Sequence, residues 1–255
     1  MSQNETNIIY GIYAVEELVN KNRQSIDKIY FNDKNKTGKL FELLKTVKKE
    51  KISYACIPEN KLGKMSNNFP HQGVVAFRTI RPYDDEKKLW EIIENVQNPL
   101  FILPAAIEDP GNLGAVIRSA CAFGVSAILF ERKGVVPLNG TVAKTSAGTI
   151  ENAVLIKPDN LESLVKKMKE CGIQIIGADG RGETSPSEVN FKNPVLIITG
   201  GEHDGIPAYL SKLCDKIIAI PMVKEVESLN VSVAMGILLY EAARQRQFKR
   251  LLFSR

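Results

Sequence analysis

The chain reads as an α/β protein in two parts: a mainly parallel sheet covered by helices on both faces, preceded by a small α/β unit. Three observations predict this. From residue 100 onward, six short runs are almost continuously apolar and are separated by helical segments, the pattern of parallel strands buried on both faces. In the first third, strand-like and helix-like runs also alternate, but they are shorter and richer in lysine. The charge divides in the same way. Residues 1–80 hold 13 Lys and Arg against 8 Asp and Glu, while the other 175 residues hold 21 of each, so the whole formal charge of +5 lies in the first part. At 255 residues there is enough chain for each part to bury its own core.

In chain order, residues 12–20 (IYAVEELVN) place Ile12, Val15, Leu18 and Val19 at helical spacing. Residues 26–31 alternate as a strand. Residues 38–51 form an amphipathic helix, with Leu40, Leu43, Leu44 and Val47 on one side and lysines on the other. Strands follow at ISYACI and GVVAFR, then a short helix around LWEIIENV. Pro82 and Pro99 punctuate the boundary, which gives a domain over 1–80, a linker over 81–98 and a second domain over 99–255. In the second domain, strands are expected at 100–107, 125–130, 153–156, 173–178, 194–199 and 216–222. Helices are expected at 112–123, 160–171, 206–214 and about 229–249. Ligands of such sheets sit beyond the carboxyl ends of the strands, so the loops that follow strands are where function is expected.

Several classes are excluded first. Apolar residues at 44% and charged residues at 25% rule out a disordered or low-complexity chain. No apolar run is long enough to span a bilayer, and MSQNETN has no signal-peptide core, so a cytoplasmic protein with no membrane contact is expected. Cys56, Cys121, Cys171 and Cys214 form no C-x-x-C pair and are expected to be buried reduced thiols. His71 and His203 are far apart with no cysteine nearby, so no metal site is expected.

Three loops carry candidate chemistry. EDPGNLGAVIRSACAFG follows the first strand of the second domain, with Asn112 expected as helix N-cap and Arg118 two turns further on. Both could approach a phosphate or ribose near the helix start; by itself the segment reads first as a capped helix with a surface arginine. TGGEHDGIPAYL follows the fifth strand. Gly200, Gly201 and Gly205 allow a tight turn and close backbone approach, and Glu202 inside it is placed to accept a proton or hydrogen bonds. It is neither a P-loop nor a dinucleotide fingerprint. GADGRGE at 177–183 has its glycines in another order and no helix directly after it, and is given little weight. IPMVKEVESLNVSVAMGILL follows the sixth strand. Ser228, Asn230 and Ser232 could bond a substrate hydroxyl, and the helix behind them is apolar nearly all round, as befits a core or an interface.

NLGAVIRSA, the glycine turn around Glu202 and IPMVKEVESLNVSVAMGI together resemble the three motifs of the SpoU (TrmH-like) 2′-O-ribose methyltransferases of the SPOUT class. The match covers roughly residues 98–248, and GIYAVEELV and HQGVVA fit that family's substrate-binding domain, which resembles an RNA-binding ribosomal protein. The resemblance implies a trefoil-knotted α/β fold, S-adenosylmethionine as methyl donor, an RNA substrate and a homodimer whose site lies at the interface. Cofactor positions carried over are Thr199, Gly200, Ile220, Met222, Leu229 and Asn230; catalytic positions are Arg118, Asn112, Glu202, Ser228 and Asn230. The two-domain arrangement is that of the RlmB-like branch, which implies a guanosine ribose of 23S rRNA as target. A tRNA ribose or an rRNA adenosine are the alternatives within the fold, and a non-catalytic RNA-binding assembly factor is the alternative outside catalysis. Departures from the family pattern are His203-Asp204 after the glutamate, Lys224 after IPM, and Tyr13 in the N-terminal motif.

Overall fold

The continuously apolar runs become a six-stranded sheet in which every neighbouring pair is parallel. The computed structural model describes residues 8–34, 38–66, 69–78, 82–132, 135–201 and 205–248. The chain divides into two compact units, one of residues 1–83 with the short insert 137–140, the other of residues 84–136 and 141–255.

The first unit runs β1 (Ile8–Tyr10), α1 (Ile12–Asn22), β2 (Ile26–Asn32), α2 (Gly38–Lys49), β3 (Tyr54–Ile57), α3 (Glu59–Met65) and β4 (Val74–Arg78). Its sheet has the order β1-β4-β2-β3, with β4 antiparallel to both neighbours and β3 parallel to β2. The helical stripes do what their spacing requires. Val15, Leu18 and Val19 of α1 and Leu40, Leu43 and Val47 of α2 are buried against Ile29 and Phe31 of β2. β1 and α3 are additions to the sequence reading; three and seven residues are too few for a periodicity to register.

The second unit begins with α4 (Glu86–Asn95), N-capped by Asp85, which accepts from Lys87 N–H at 2.8 Å. It continues with β5 (Leu100–Pro104), α5 (Pro110–Ala122), β6 (Ala127–Leu129), α6 (Gly140–Thr145), β7 (Leu155–Ile156), α7 (Leu161–Glu170), β8 (Gln174–Ala178), β9 (Val195–Thr199), α8 (Ala208–Ser211), β10 (Lys216–Ile218) and α9 (Val231–Gln245). The expectation of a linker over 81–98 needs correcting from Asp84 onward. Asp84 bonds Leu155 through its own N–H and through its carboxylate, and Leu89 of α4 is fully buried in a core with Phe101, Leu103 and Ile175. The cysteine expectation is corrected too: Cys56 and Cys171 are exposed, and Cys121 and Cys214 are half-buried, all as free thiols. Among the described residues, no helix is long and apolar enough to cross a membrane.

The sheet order is β10-β8-β9-β5-β6-β7. From β5 the chain moves outward to β6 and β7; from β9, its neighbour, it moves the opposite way to β10. The winding thus reverses between the two central strands, and ligands of such sheets bind near that reversal, at the carboxyl edge.

Candidate active site at the carboxyl ends of the central strands

A cavity of about 390 Å³ opens at this edge. Its walls are the ends of β8 and β9 (Asp179, Thr199, Gly200), the segment between β10 and α9 (Ile220, Met222, Ser228, Leu229), and the first turns of α9. Two features give it the character of a ligand site. The Thr199 side-chain hydroxyl is buried and has no hydrogen-bond partner among the described residues, and a buried hydroxyl left unpaired costs stability unless something bonds it. The wall behind it is bare backbone. A Cβ on Gly200 would lie 2.0 Å from the carbonyl carbon of Gly205, and one on Gly201 would lie 2.8 Å from the Ala106 oxygen.

The glycine turn is held from both sides. Gly201 N–H donates to the Gly205 oxygen at 3.2 Å. Asp179, at the end of β8, accepts from Ile206 N–H at 3.2 Å and from the Arg181 guanidinium through two 2.7 Å bonds. That guanidinium, helped by the two backbone N–H groups, holds the Asp179 carboxyl well below the usual carboxylate range despite its burial. On the other side, Glu131 follows β6 and accepts from Ala106 N–H and from the Tyr209 hydroxyl, both at 2.7 Å. Burial first, and then this bond to a carboxylate, push the Tyr209 phenol well above its ordinary range. Ala106 itself adopts a left-handed φ of 52°. Glu131 thus pins the loop that abuts Gly201.

Asn230 is the N-cap of α9; its Oδ1 accepts from Ser232 N–H at 2.9 Å and Ser232 Oγ at 2.6 Å. Its amide nitrogen donates to Asn112 Oδ1 at 2.9 Å, which ties the starts of α5 and α9 together. The expectation that Asn112 caps α5 needs correcting. Asp109 is the cap and accepts from Asn112 N–H at 2.7 Å, because Pro110 takes the first helical position and fixes the register. This frees the Asn112 side chain for Asn230.

The structure therefore brings Thr199, Gly200, Ile220, Met222, Leu229 and Ser228 around one cavity, with the Asn112–Asn230 pair beside it. Asn230 does not line the cavity itself. Arg118 is not among its walls either; it is exposed and makes no hydrogen bond or ion pair with the described residues. Glu202 lies outside the described residues, as do His203 and Asp204. Residues missed at the sequence level are Asp179, Arg181 and Glu131. The available signal was position: GADGRGE directly follows β8, the strand beside β9. Among the described residues, no three His, Cys, Asp or Glu side chains gather as a metal site.

The profile of the SpoU rRNA Methylase family matches residues 99–240, more than half of the chain. The chain belongs to the SpoU rRNA methylase family. A second profile, RNA 2′-O ribose methyltransferase substrate binding, matches residues 8–83. Among SpoU relatives, the 23S rRNA (guanosine-2′-O-)-methyltransferase RlmB of Neisseria meningitidis is 35% identical over 94% of this chain and 96% of its own length. A putative TrmH family tRNA/rRNA methyltransferase of Staphylococcus saprophyticus is 34% identical over 94% and 96%. The SpoU methyltransferase AviRb of Streptomyces viridochromogenes, solved with AdoMet, shares the fold: TM-score 0.59 at 23% identity, over 94% of this chain and 90% of that one.

Proposed function

We propose that this chain transfers the methyl group of S-adenosylmethionine to the 2′-hydroxyl of a guanosine ribose in 23S rRNA. The observation that carries the reading is the cavity beyond β8 and β9, with its bare glycine wall and unpaired Thr199 hydroxyl, set beside the Asn112–Asn230 pair. The RlmB name carried by relatives over nearly the full chain supports the target.

Thr199, Gly200, Ile220, Met222 and Leu229 hold the cofactor, with Asn230 fixing the start of α9 at its edge. When bound, S-adenosylmethionine supplies an electrophilic methyl on a sulfonium. The chain's own tasks are then alignment and the handling of one proton. Arg118 is a poor resting base, since a guanidinium stays charged. It serves as a clamp on the RNA phosphate and stabilises the alkoxide as it develops. Glu202 orients the ribose or takes its proton, and Asn112, Ser228 and Asn230 position the hydroxyl.

The working unit is a homodimer. Val233, Ile237 and Tyr240 form an exposed apolar stripe along α9, with the Tyr240 ring edge-on to Phe123 at the end of α5. In that dimer the stripe is covered by a second copy, and Arg118 serves the neighbouring copy's cavity, as the family resemblance implies. Residues 1–80 dock the RNA, residues 99–255 perform the transfer, and the protein works in the cytoplasm.

Incubation with tritiated S-adenosylmethionine and separate 23S rRNA and tRNA tests the reading. Label on 23S rRNA at a guanosine ribose is expected. Label on tRNA supports the second reading, which the tRNA/rRNA naming of the Staphylococcus relative favours; no label on either makes the chain a binding factor. Arg118→Ala should abolish transfer while calorimetric cofactor binding survives, and wild-type turnover in that variant sinks the role of Arg118.

A further inference from the structure

The first unit carries exposed aromatic rings on β1, on α1 and on the segment that leads into β4. Phe69 is 55% exposed and Tyr10, at the end of β1, is 36% exposed. Their rings stack with centroids 5.8 Å apart and planes within 3° of parallel. Tyr13, in the first turn of α1, is 68% exposed, and the Lys39 ammonium sits 3.7 Å above its ring centroid. Lys39 also pairs with Glu16 at 2.9 Å.

Described residues on both sides of Phe69 brace its backbone. Phe69 N–H donates to the Ser66 oxygen, and Ser66 Oγ donates to the Phe69 oxygen, both at 3.0 Å. Buried His71 accepts from Gly73 N–H at 3.2 Å and stands 3.3 Å from the Glu59 carboxylate. Gln72 adopts a left-handed φ of 52° that its side chain does not favour, and its Oε1 accepts from Ile12 N–H at 3.0 Å, capping α1 from sixty residues away. A strained, over-determined backbone that holds a phenyl ring out in solvent does nothing for the core. It does preorganise a ring for a flat partner.

We propose that Phe69, Tyr10 and Tyr13 form a base-stacking shelf for unpaired nucleotides of the RNA substrate. The proposal rests on RNA being the substrate, as argued above. Stacking on aromatic side chains needs bases splayed out of a helix, so the shelf takes a loop or bulge and not a duplex. The neighbouring charge fits that partner: Lys39 lies over one ring, the α1 N-terminus carries partial positive charge, and the net +5 of the chain falls within residues 1–80.

The test uses the full chain with Phe69→Ala and Tyr13→Ala. Each is titrated by fluorescence anisotropy into a labelled hairpin RNA with an unpaired loop, and into a fully paired duplex of equal length. Each variant should lose roughly fivefold or more in affinity for the hairpin. Duplex affinity, salt slope, Tm and S-adenosylmethionine binding should stay at wild-type values, and Phe69→Trp should restore hairpin binding. Wild-type hairpin affinity in both alanine variants overturns the shelf. Unchanged hairpin affinity with weaker binding to ribosomal particles makes the surface one that meets protein, which overturns it as well. If the wild-type chain methylates RNA and Phe69→Ala does so with unchanged KM, only the shelf falls; if the wild-type chain neither binds nor methylates RNA, the proposed function falls with it.

Discussion

Gly200 has no side chain because none fits. The clash of an added Cβ would be with Gly205 backbone, which cannot swing aside as a flexible side chain would. Gly200→Ala should therefore cost cofactor affinity more than tenfold by calorimetry while leaving the first unit unaffected. Asp179 is a second single-residue case. Its carboxyl is held below its ordinary value of 3.8 by the Arg181 guanidinium and the backbone N–H groups, so the ionised form stabilises the fold. That contribution is complete above the unfolded value and is lost as pH falls through the lower folded value. Asp179→Asn should lower Tm at neutral pH, and the gap to wild type should narrow from about pH 4 downward; a gap independent of pH would show the charge to be irrelevant. The candidate site was only partly legible at this scale. Gly200 opens a glycine turn directly after an apolar strand, and local pattern suffices to single it out; Thr199 and Leu229 came only with the family resemblance. Asp179 was not legible, because its role depends on Ile206, and Glu131 was not, because its partner Tyr209 lies 78 positions away. Asn112 and Asp109 are both good caps; only the place of Pro110 in the helix decides between them.

Among elements, the long ones were legible and the short ones were not. α1, α2, α5, α7 and α9 each show enough turns for an apolar stripe to declare itself; β5 is apolar throughout, and β8 and β9 are so apart from one terminal residue each. β10 is shorter than its apolar run: it ends at Ile218, and the next N–H, of Ala219, donates to the Thr184 oxygen. α8 has four residues where nine were expected. α4 was noticed as a helix but not as part of the second core, since an amphipathic stripe does not say which core it faces. The same ambiguity governs α9. Its buried face holds Met235, Leu238 and Leu239, while Val233, Ile237 and Tyr240 remain exposed, Tyr240 touching only the Phe123 and Phe248 rings among the described aromatics. Ile237→Asp should leave the monomer folded and shift sedimentation equilibrium toward it, since a carboxylate cannot be buried unpaired in an apolar interface. It should also reduce methyl transfer with cofactor binding retained; an unchanged oligomeric state would remove the stripe from the interface.

At the scale of the whole molecule, the division of charge becomes a division of labour that salt can measure. RNA captured by residues 1–80 should show a log affinity falling linearly with log salt. Replacing the exposed Lys48 and Lys49 of α2 with Gln should reduce that slope by up to about 0.7 to 0.9 for each phosphate no longer neutralised. Cofactor affinity should not change, and an unaltered slope would mark these lysines as solvent-facing only. The order of the larger sheet has another consequence, for how the molecule comes into being. Its two central strands pair Leu100 with Val195 and Pro104 with Thr199, so the middle of the sheet joins distant stretches of chain. As the polypeptide emerges from its N-terminus, β5, β6, β7 and β8 are all made before the strand that belongs between β5 and β8. Until β9 arrives, both of those strands wait with an open apolar edge. Such long-range closure slows folding and lengthens the interval in which sticky edges are bare. The candidate cavity beyond β8 and β9 is thus among the last parts of the molecule to take shape, and a nascent chain paused before residue 195 lacks the strand that walls it.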